Sequence, residues 1–362
     1  MDHLQVIKQI GKKIKIVVID DSVLVQNIIS DLLQSDGTIE VVATGKTGID
    51  CIELAQKHNP DLITLDIEMP LMDGLTALKE MSKKKINVPI IMLSVLTQYG
   101  AKATFQALEL GAIDFVPKPS SAIRMDLKEI GELLKSKIHG YFEHELKKKS
   151  RRIKIKVGNF PEQKNNPIKA VSIGTSTGGP NALHYIFKQI PESFNYPIFI
   201  VQHMPSGFTK AFAERLDEFS KIKVKEAEHG ESVTPGVAYL APGNYHMTLQ
   251  KANDNDKNFK IELNQRGLVN GHRPSVDVTF DSLRNCYTSN LISVIMTGMG
   301  RDGADAIKRI KYEGGATIAQ DEKTSVIFGM NRQAIESGCI DYVVPLDKIV
   351  PCIIRIIKER GN

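Results

Sequence analysis

The chain has 362 residues, 42 % of them hydrophobic, and a formal charge of +5, enough material for about two domains with buried cores. No apolar stretch approaches the ~20 residues of a membrane span. The start, MDHLQVIKQIGKK, lacks the apolar run and small-residue cleavage site of a secretory signal, so a cytoplasmic protein with no membrane insertion is expected. The basic excess sits in residues 121–168, with twelve Lys and Arg against six Asp and Glu. A nucleic-acid-binding domain carries its basic residues on a folded face, so no nucleic-acid partner is expected. Cys51, Cys286, Cys339 and Cys352 form no CxxC pair and read as reduced thiols.

Residues 14–140 alternate short apolar runs with amphipathic stretches. The runs are 14–20, 39–44, 61–66, 89–94 and 112–117, and their near-continuous apolar character suits strands buried on both faces of a parallel sheet. SVLVQNIISDLLQ (22–34) reads as a helix capped by Ser22. Five such units predict a doubly wound α/β domain. Residues 141–167 are polar and basic and end in Pro167; they read as a basic linker into which a last helix frays. From 168 a second alternation begins, with predicted strands at 168–174, 197–202, 237–242, 291–297, 316–320 and 339–345. YHMTLQ (245–250) and FKIEL (259–263) flank a polar turn and predict a hairpin.

Ligands of parallel α/β sheets bind beyond the carboxyl ends of the strands. In the first domain those ends carry Asp20 and Asp21, Asp66, Ser94 and Lys118. Clustered carboxylates repel one another unless a cation shares them, and oxygen ligands suit Mg²⁺. Lys118 and Ser94 can bind phosphoryl oxygens, and Asp66 can accept a phosphoryl group. Each residue alone is better explained as a helix cap after a strand; the set favours function.

In the second domain Gly174-Thr175-Ser176-Thr177-Gly178 lies between a predicted strand and a helix opened by Pro180. This is G-x-S-x-G in its strand–turn–helix context, although small-residue turns are common without a nucleophile. A serine nucleophile needs a base and the base an orienting carboxylate. His203 ends the next strand, and Asp302 follows the strand 291–297. The glycines around it allow backbone N–H groups to approach a ligand. The same stretch has a second reading. Gly298-x-Gly300-x-x-Gly303 has dinucleotide-fingerprint spacing, and Asp321 lies near the offset of its ribose-binding acid. That reading leaves Ser176 and His203 without a task.

Two resemblances gather these residues. Residues 14–119 resemble the receiver domain of two-component response regulators, through DD (20–21), LDIEMPLMDG (65–74), LS (93–94) and KP (118–119). The resemblance implies a flavodoxin-like fold, phosphorylation of Asp66 by a histidine kinase, and Ser94, Phe115 and Lys118 as switch residues. It also implies Mg²⁺ held by Asp21, Asp66 and the Glu68 carbonyl, with Asp20 behind them. Residues 168–358 resemble the catalytic domain of chemotaxis protein-glutamate methylesterases, the CheB family, through IGTSTGGP, VQHMP, LAPG, RPSVDVTF, MTGMGRDGA and FGM. This implies a Rossmann-like domain that needs no cofactor for ester hydrolysis. Ser176 would be nucleophile, His203 base and Asp302 orienter, with the Met299 N–H in the oxyanion hole and Thr177 assisting. The implied substrates are methyl esters and certain glutamines on the cytoplasmic helices of chemoreceptors, under inhibition by the receiver until Asp66 is phosphorylated. The Ser…His…Asp order departs from the α/β-hydrolase order. Asn331 stands where the family usually has proline, a change expected to loosen a helix start, and Thr175 where alanine is commoner. The other class kept open is a response regulator whose second domain only binds, for example a nucleotide.

Overall fold

The apolar runs become the centre of two separate parallel sheets. In the computed structural model the described residues are 13–35, 37–95, 97–118, 127–148, 166–251 and 258–361. The chain divides into two units, Met1–Ser150 and Arg151–Asn362.

In the first unit the strands are β1 (Ile14–Ile19), β2 (Ile39–Gly45), β3 (Leu62–Asp66), β4 (Ile90–Ser94) and β5 (Asp114–Pro117). The helices are α1 (Val23–Gln34), α2 (Gly48–His58), α3 (Gly74–Lys83), α4 (Gln98–Glu109) and α5 (Leu127–Lys148). The order is β2-β1-β3-β4-β5, all parallel, the flavodoxin-like order with its switch point between β1 and β3. Ser22 caps α1 as expected, accepting from the Val25 N–H. β3 and β4 are buried at every position, which is why they show no alternation.

The region read as linker begins with helix. α5 continues to Lys148 because its apolar face does not stop at 140: Ile130, Leu134 and Ile138 are buried, and Phe142 packs on the same core. The basic run KKK (147–149) reads as polar, yet Lys, Glu and Leu are good helix formers. Residues 149–165 of the expected linker lie outside the described residues.

In the second unit the strands are β6 (Ala170–Thr175), β7 (Ile198–Gln202), β8 (Lys223–Glu226), β9 (Val237–Leu240), β10 (His246–Lys251), β11 (Phe259–Asn264), β12 (Leu291–Ile295), β13 (Ala316–Gln320) and β14 (Tyr342–Val344). The helices are α6 (Gly179–Phe187), α7 (Thr209–Phe219), α8 (Val276–Tyr287), α9 (Ala304–Tyr312), α10 (Met330–Glu336) and α11 (Ile349–Gly361). Seven strands form one sheet in the order β14-β13-β12-β6-β7-β9-β8, every pair parallel. β10 and β11 make the expected antiparallel hairpin. It rests on α8, where Ser282 Oγ accepts from the Leu249 N–H at 2.7 Å and Thr279 Oγ1 donates to the Met247 carbonyl at 2.8 Å.

β8 has no counterpart among the predicted strands. Its sequence KVKE buries only Val224, as suits a charged edge strand. The strand expected over 339–345 shortens to β14, because Ser337 and Gly338 close the turn after α10 and Cys339 packs inward beneath it. All four cysteines are free, and no helix among the described residues is long and apolar enough to cross a membrane.

Candidate active site

Strand order reverses in the second sheet between β6 and β12, the crevice where ligands of open α/β sheets bind. Three loops meet there. Thr175 pairs in register with Gln202, and Gly174 with Ile295. Ser176 and His203 therefore leave adjacent strands at the same level, and the loop to Asp302 leaves the strand on the other side.

The Ser176 turn is tight because glycine permits it. Gly178 has φ 77°, and a Cβ there would meet Val326 at 2.5 Å. A Cβ on Gly179 would stand 2.0 Å from Gln202 Oε1, and one on Gly298 would stand 2.9 Å from Ser176 Cβ. The serine N–H donates to the Thr297 carbonyl at 3.0 Å and its carbonyl accepts from Gly179 N–H at 2.8 Å. The residue is 7 % exposed.

His203 Nε2 lies 2.8 Å from Asp302 Oδ2. Nδ1 of the same ring is buried with no hydrogen-bond partner among the described residues. Asp302 Oδ2 also accepts from Val276 N–H at 2.6 Å. Its Oδ1 accepts from Ser275 Oγ at 2.8 Å, Asn270 Nδ2 at 3.0 Å and Asp277 N–H at 3.2 Å. Burial alone would raise this carboxyl; His203, Asn270 and the Val276 N–H outweigh it and hold the group well below the usual carboxylate range. Two of the donors are N–H groups of the first turn of α8, where a negative charge is favoured. Asp302 is thus a fixed anion facing His203.

Several contributors were not singled out from the sequence. Gln202, 2 % exposed, donates its amide to the Ser176 carbonyl at 2.9 Å and the His203 carbonyl at 3.0 Å, tying the two loops together. A polar residue ending an otherwise apolar strand was the available signal. Thr297 Oγ1 donates to the Thr177 carbonyl at 2.9 Å, and Thr177 is itself buried. Asp277, inside RPSVDVTF, accepts from Ala306 N–H at 2.7 Å and from Asn270 Nδ2 at 2.7 Å. Met299 sits between Gly298 and Gly300; Gly298 packs against Ser176, and Gly329 closes over this segment with 2.6 Å between its notional Cβ and the Gly298 carbonyl oxygen.

Two expectations change. Asn331 does not loosen the start of α10: it is fully buried and donates to the Gln320 carbonyl at 2.9 Å and Ser325 Oγ at 2.8 Å. The dinucleotide reading also fails locally. Asp321 accepts from the N–H and hydroxyl of Thr324 at 3.0 and 2.6 Å, closing its own turn, and Asp302 within the glycine stretch is committed to His203.

In the first unit, ligand oxygens of Asp20, Asp21 and Asp66 lie within 4.8 Å of one another, the first and last buried and the second exposed. Lys118 Nζ stands 2.7 Å from Asp20 Oδ2 and 2.7 Å from Asp66 Oδ2. Burial pushes the Asp66 carboxyl up to about 6; Lys118 opposes the rise and Asp20 adds to it. Burial likewise raises Asp20. For Lys118, burial lowers the amine, but the two carboxylates outweigh it and raise it. One lysine cannot balance three carboxylates, and an oxygen donor set of this kind fits a hard divalent cation. The Glu68 N–H donates to Asp66 Oδ1 at 3.4 Å. Ser94 points elsewhere: its hydroxyl lies 2.5 Å from Thr104 Oγ1 on α4. Phe115 is buried, edge-on to Phe105 at 6.3 Å.

Comparison with known proteins gives the family of each unit. Residues 171–353 match the CheB methylesterase family and residues 16–128 the response regulator receiver domain. A protein-glutamate methylesterase/protein-glutamine glutaminase of Pyrococcus horikoshii is 46 % identical over 365 residues, covering 97 % of this chain and 96 % of its own. One from Clostridium acetobutylicum is 42 % identical over 96 % of this chain and 99 % of its own. A crystal structure of the Thermotoga maritima CheB methylesterase catalytic domain superposes with a TM-score of 0.50 at 45 % identity, over 53 % of this chain and 98 % of that one. The chain belongs to the CheB methylesterase family, with a response regulator receiver domain ahead of its catalytic domain.

Proposed function

We propose that this protein hydrolyses γ-glutamyl methyl esters on chemoreceptors, releasing methanol, and converts selected receptor glutamines to glutamate, under control of its receiver domain. The observation that carries the reading is the His203–Asp302 pair at strand ends flanking the Ser176 turn.

Ser176 Oγ attacks the ester carbonyl while His203 takes its proton. Backbone N–H groups, with that of Met299 among them, meet the oxyanion, and Thr177 lines the same turn. The intermediate collapses as protonated His203 returns the proton to the departing methoxide. Water, deprotonated by His203, then attacks the acyl carbonyl and frees Ser176. With a glutamine side chain the leaving group is ammonia. Asp302, ionised throughout, balances the charge His203 gains.

In the receiver the Asp66 carboxylate takes a phosphoryl group from the phosphohistidine of a histidine kinase. Asp21, Asp66 and the Glu68 carbonyl would hold Mg²⁺, with Asp20 behind them, and the ion would supply charge neutralisation during transfer. Lys118 pairs with the phosphoryl oxygens. Ser94 leaves Thr104 to bond the phosphoryl group, and Phe115 repacks. The unphosphorylated receiver restrains the catalytic domain, and phosphorylation shifts that balance.

Methanol release from methylated receptor membranes tests the activity. Turnover that rises with a small-molecule phosphodonor in the wild type, and not in Asp66→Asn, supports the control. No methanol from wild type overturns the substrate; equal rates in both states overturn receiver control.

A further inference from the structure

Residues 269–272, Val-Asn-Gly-His, form a two-residue turn. Val269 and His272 exchange both backbone hydrogen bonds, at 3.1 and 3.0 Å, and Asn270 and Gly271 have φ of 52° and 79°. Asn-Gly is the sequence favoured where both central residues need positive φ. The turn supplies no member of the triad, yet its side chains reach both partners of the His203–Asp302 pair. Asn270 Nδ2 bridges Asp302 Oδ1 and Asp277 Oδ2 at 3.0 and 2.7 Å. The His272 ring lies flat on the His203 ring, with centroids 3.7 Å apart and planes inclined by 15°.

We propose that this turn is the positioning element of the general base: His272 fixes the plane of the His203 ring, and Asn270 fixes the Asp302 carboxylate that holds the ring's edge.

A ring hydrogen-bonded through one nitrogen can still pivot about that bond. The His203 backbone, just after β7, is held by its N–H bond to the Thr175 carbonyl at 3.1 Å and by Gln202 at its carbonyl, so what is left to fix is the tilt of the ring itself. Nδ1, the nitrogen left to receive the serine proton, lies off the pivot axis, and any tilt carries it away from Ser176. A second flat ring in van der Waals contact removes that freedom, and its face also meets the charge His203 gains on protonation. Asn270 acts on the other side of the bond. Asp302 and Asp277 are two buried acids joined by one amide nitrogen. Without it they would repel, and Asp302 would lose a donor on the oxygen that does not face His203. One short turn thus sets the ring's plane and its edge together, and a Pro or bulky residue at 270 or 271 would undo both.

The inference rests on His203 being the base, so His203→Ala is assayed alongside. His272→Ala, His272→Phe and Asn270→Gly, the last compatible with the turn's φ, are compared in the full chain. The substrates are p-nitrophenyl acetate, which needs only the triad, and methylated receptor membranes. His272→Ala should lower kcat about ten- to a hundredfold on both substrates, as expected for a displaced catalytic group, with KM little changed. His272→Phe, which restores a flat ring, should recover most of the loss, and Asn270→Gly should fall in kcat as well. Phe as poor as Ala, Ala as good as wild type, or a rise in receptor KM with the small ester unaffected would overturn the proposal; the last would make His272 a substrate contact. If His272→Ala does not fold, Phe at wild-type rate together with a slow Asn270→Gly still supports it, and wild-type rate in Asn270→Gly overturns it. An active His203→Ala protein overturns the base assignment itself, whereas an inactive one beside unaffected His272 and Asn270 variants sinks this inference alone.

Discussion

The two sheets place acidic residues at the same kind of position, beyond the carboxyl ends of parallel strands, and shift them in opposite directions. Asp66 is buried with one weak backbone donor and a shared lysine, and its carboxyl rises to about 6. Asp302 is buried with five donors and is held well below the ordinary range. Burial acts alike on both, so the donors at Asp302 together with the charge of His203 decide the sign. An anion with few donors is ready to take a new ligand: a cation, or a phosphoryl group. An anion saturated with donors is ready only to hold a neighbour still. In the proposed function the same kind of strand edge serves a modification site in the first unit and a positioning site in the second.

The sharpest way to separate the two sites is to remove one function and read the other. Ser176→Ala should reduce ester hydrolysis on the order of 10⁶-fold, by analogy with serine hydrolases, while acyl-phosphate labelling of Asp66 continues; methanol release at near-normal rate would refute the nucleophile. Asp302→Asn comes next, with turnover falling by about 10⁴ in a protein that circular dichroism shows to be folded.

The opposite shifts also predict opposite pH effects on stability. The folded pKa of Asp302 is depressed, so its contribution is complete above about pH 4, the unfolded value, and is lost as pH falls through the folded pKa. Asp302→Asn should flatten the acid limb of the unfolding free energy of the catalytic domain. Asp66 has a folded pKa near 6, above its unfolded value, so its ionisation opposes folding above pH 6 and not below about pH 4. Asp66→Asn should therefore stabilise the first unit at neutral pH by up to about 3 kcal/mol, a gain that vanishes toward pH 4. Added Mg²⁺ should raise the melting temperature of wild type and not of Asp66→Asn. Equal melting temperatures at pH 7.5 without Mg²⁺ would remove the electrostatic contrast.

Smaller effects test the scaffolding. Gln202→Ala frees the Ser176 and His203 loops from each other and leaves two carbonyls short of a donor. It should cost about 1–3 kcal/mol and lower kcat more than it raises KM. Asn331→Ala should cost about 1–2 kcal/mol and leave kcat near wild type, since its bonds to Gln320 and Ser325 lie away from His203 and Asp302. A large kcat loss there would show that the Thr297–Gln320 region transmits to the Ser176 turn.

The sequence by itself determined the strands buried on both faces, the Ser22 cap, the β10–β11 hairpin, and the positions of Ser176, His203, Asp302, Asp66 and Lys118 at strand ends. These follow from local rules: apolar continuity, capping chemistry, and the place where a parallel strand must stop. β8 escaped because an edge strand with one buried residue has no apolar run, and α5 outran its expected end because Phe142, one helical turn past Ile138, carries the apolar face on into the basic stretch. Only the tertiary structure decided what surrounds the site. The tasks of Gln202, Asn270 and His272 depend on Ser176, Asp302 and His203, which lie 26, 32 and 69 positions away in the chain. The sign of the Asp66 and Asp302 shifts was equally hidden. For Asp302 it depends on the register of β6 against β7 and β12 and on the first turn of α8 meeting the loop after β12; for Asp66 it depends on burial beside Lys118 and Asp20.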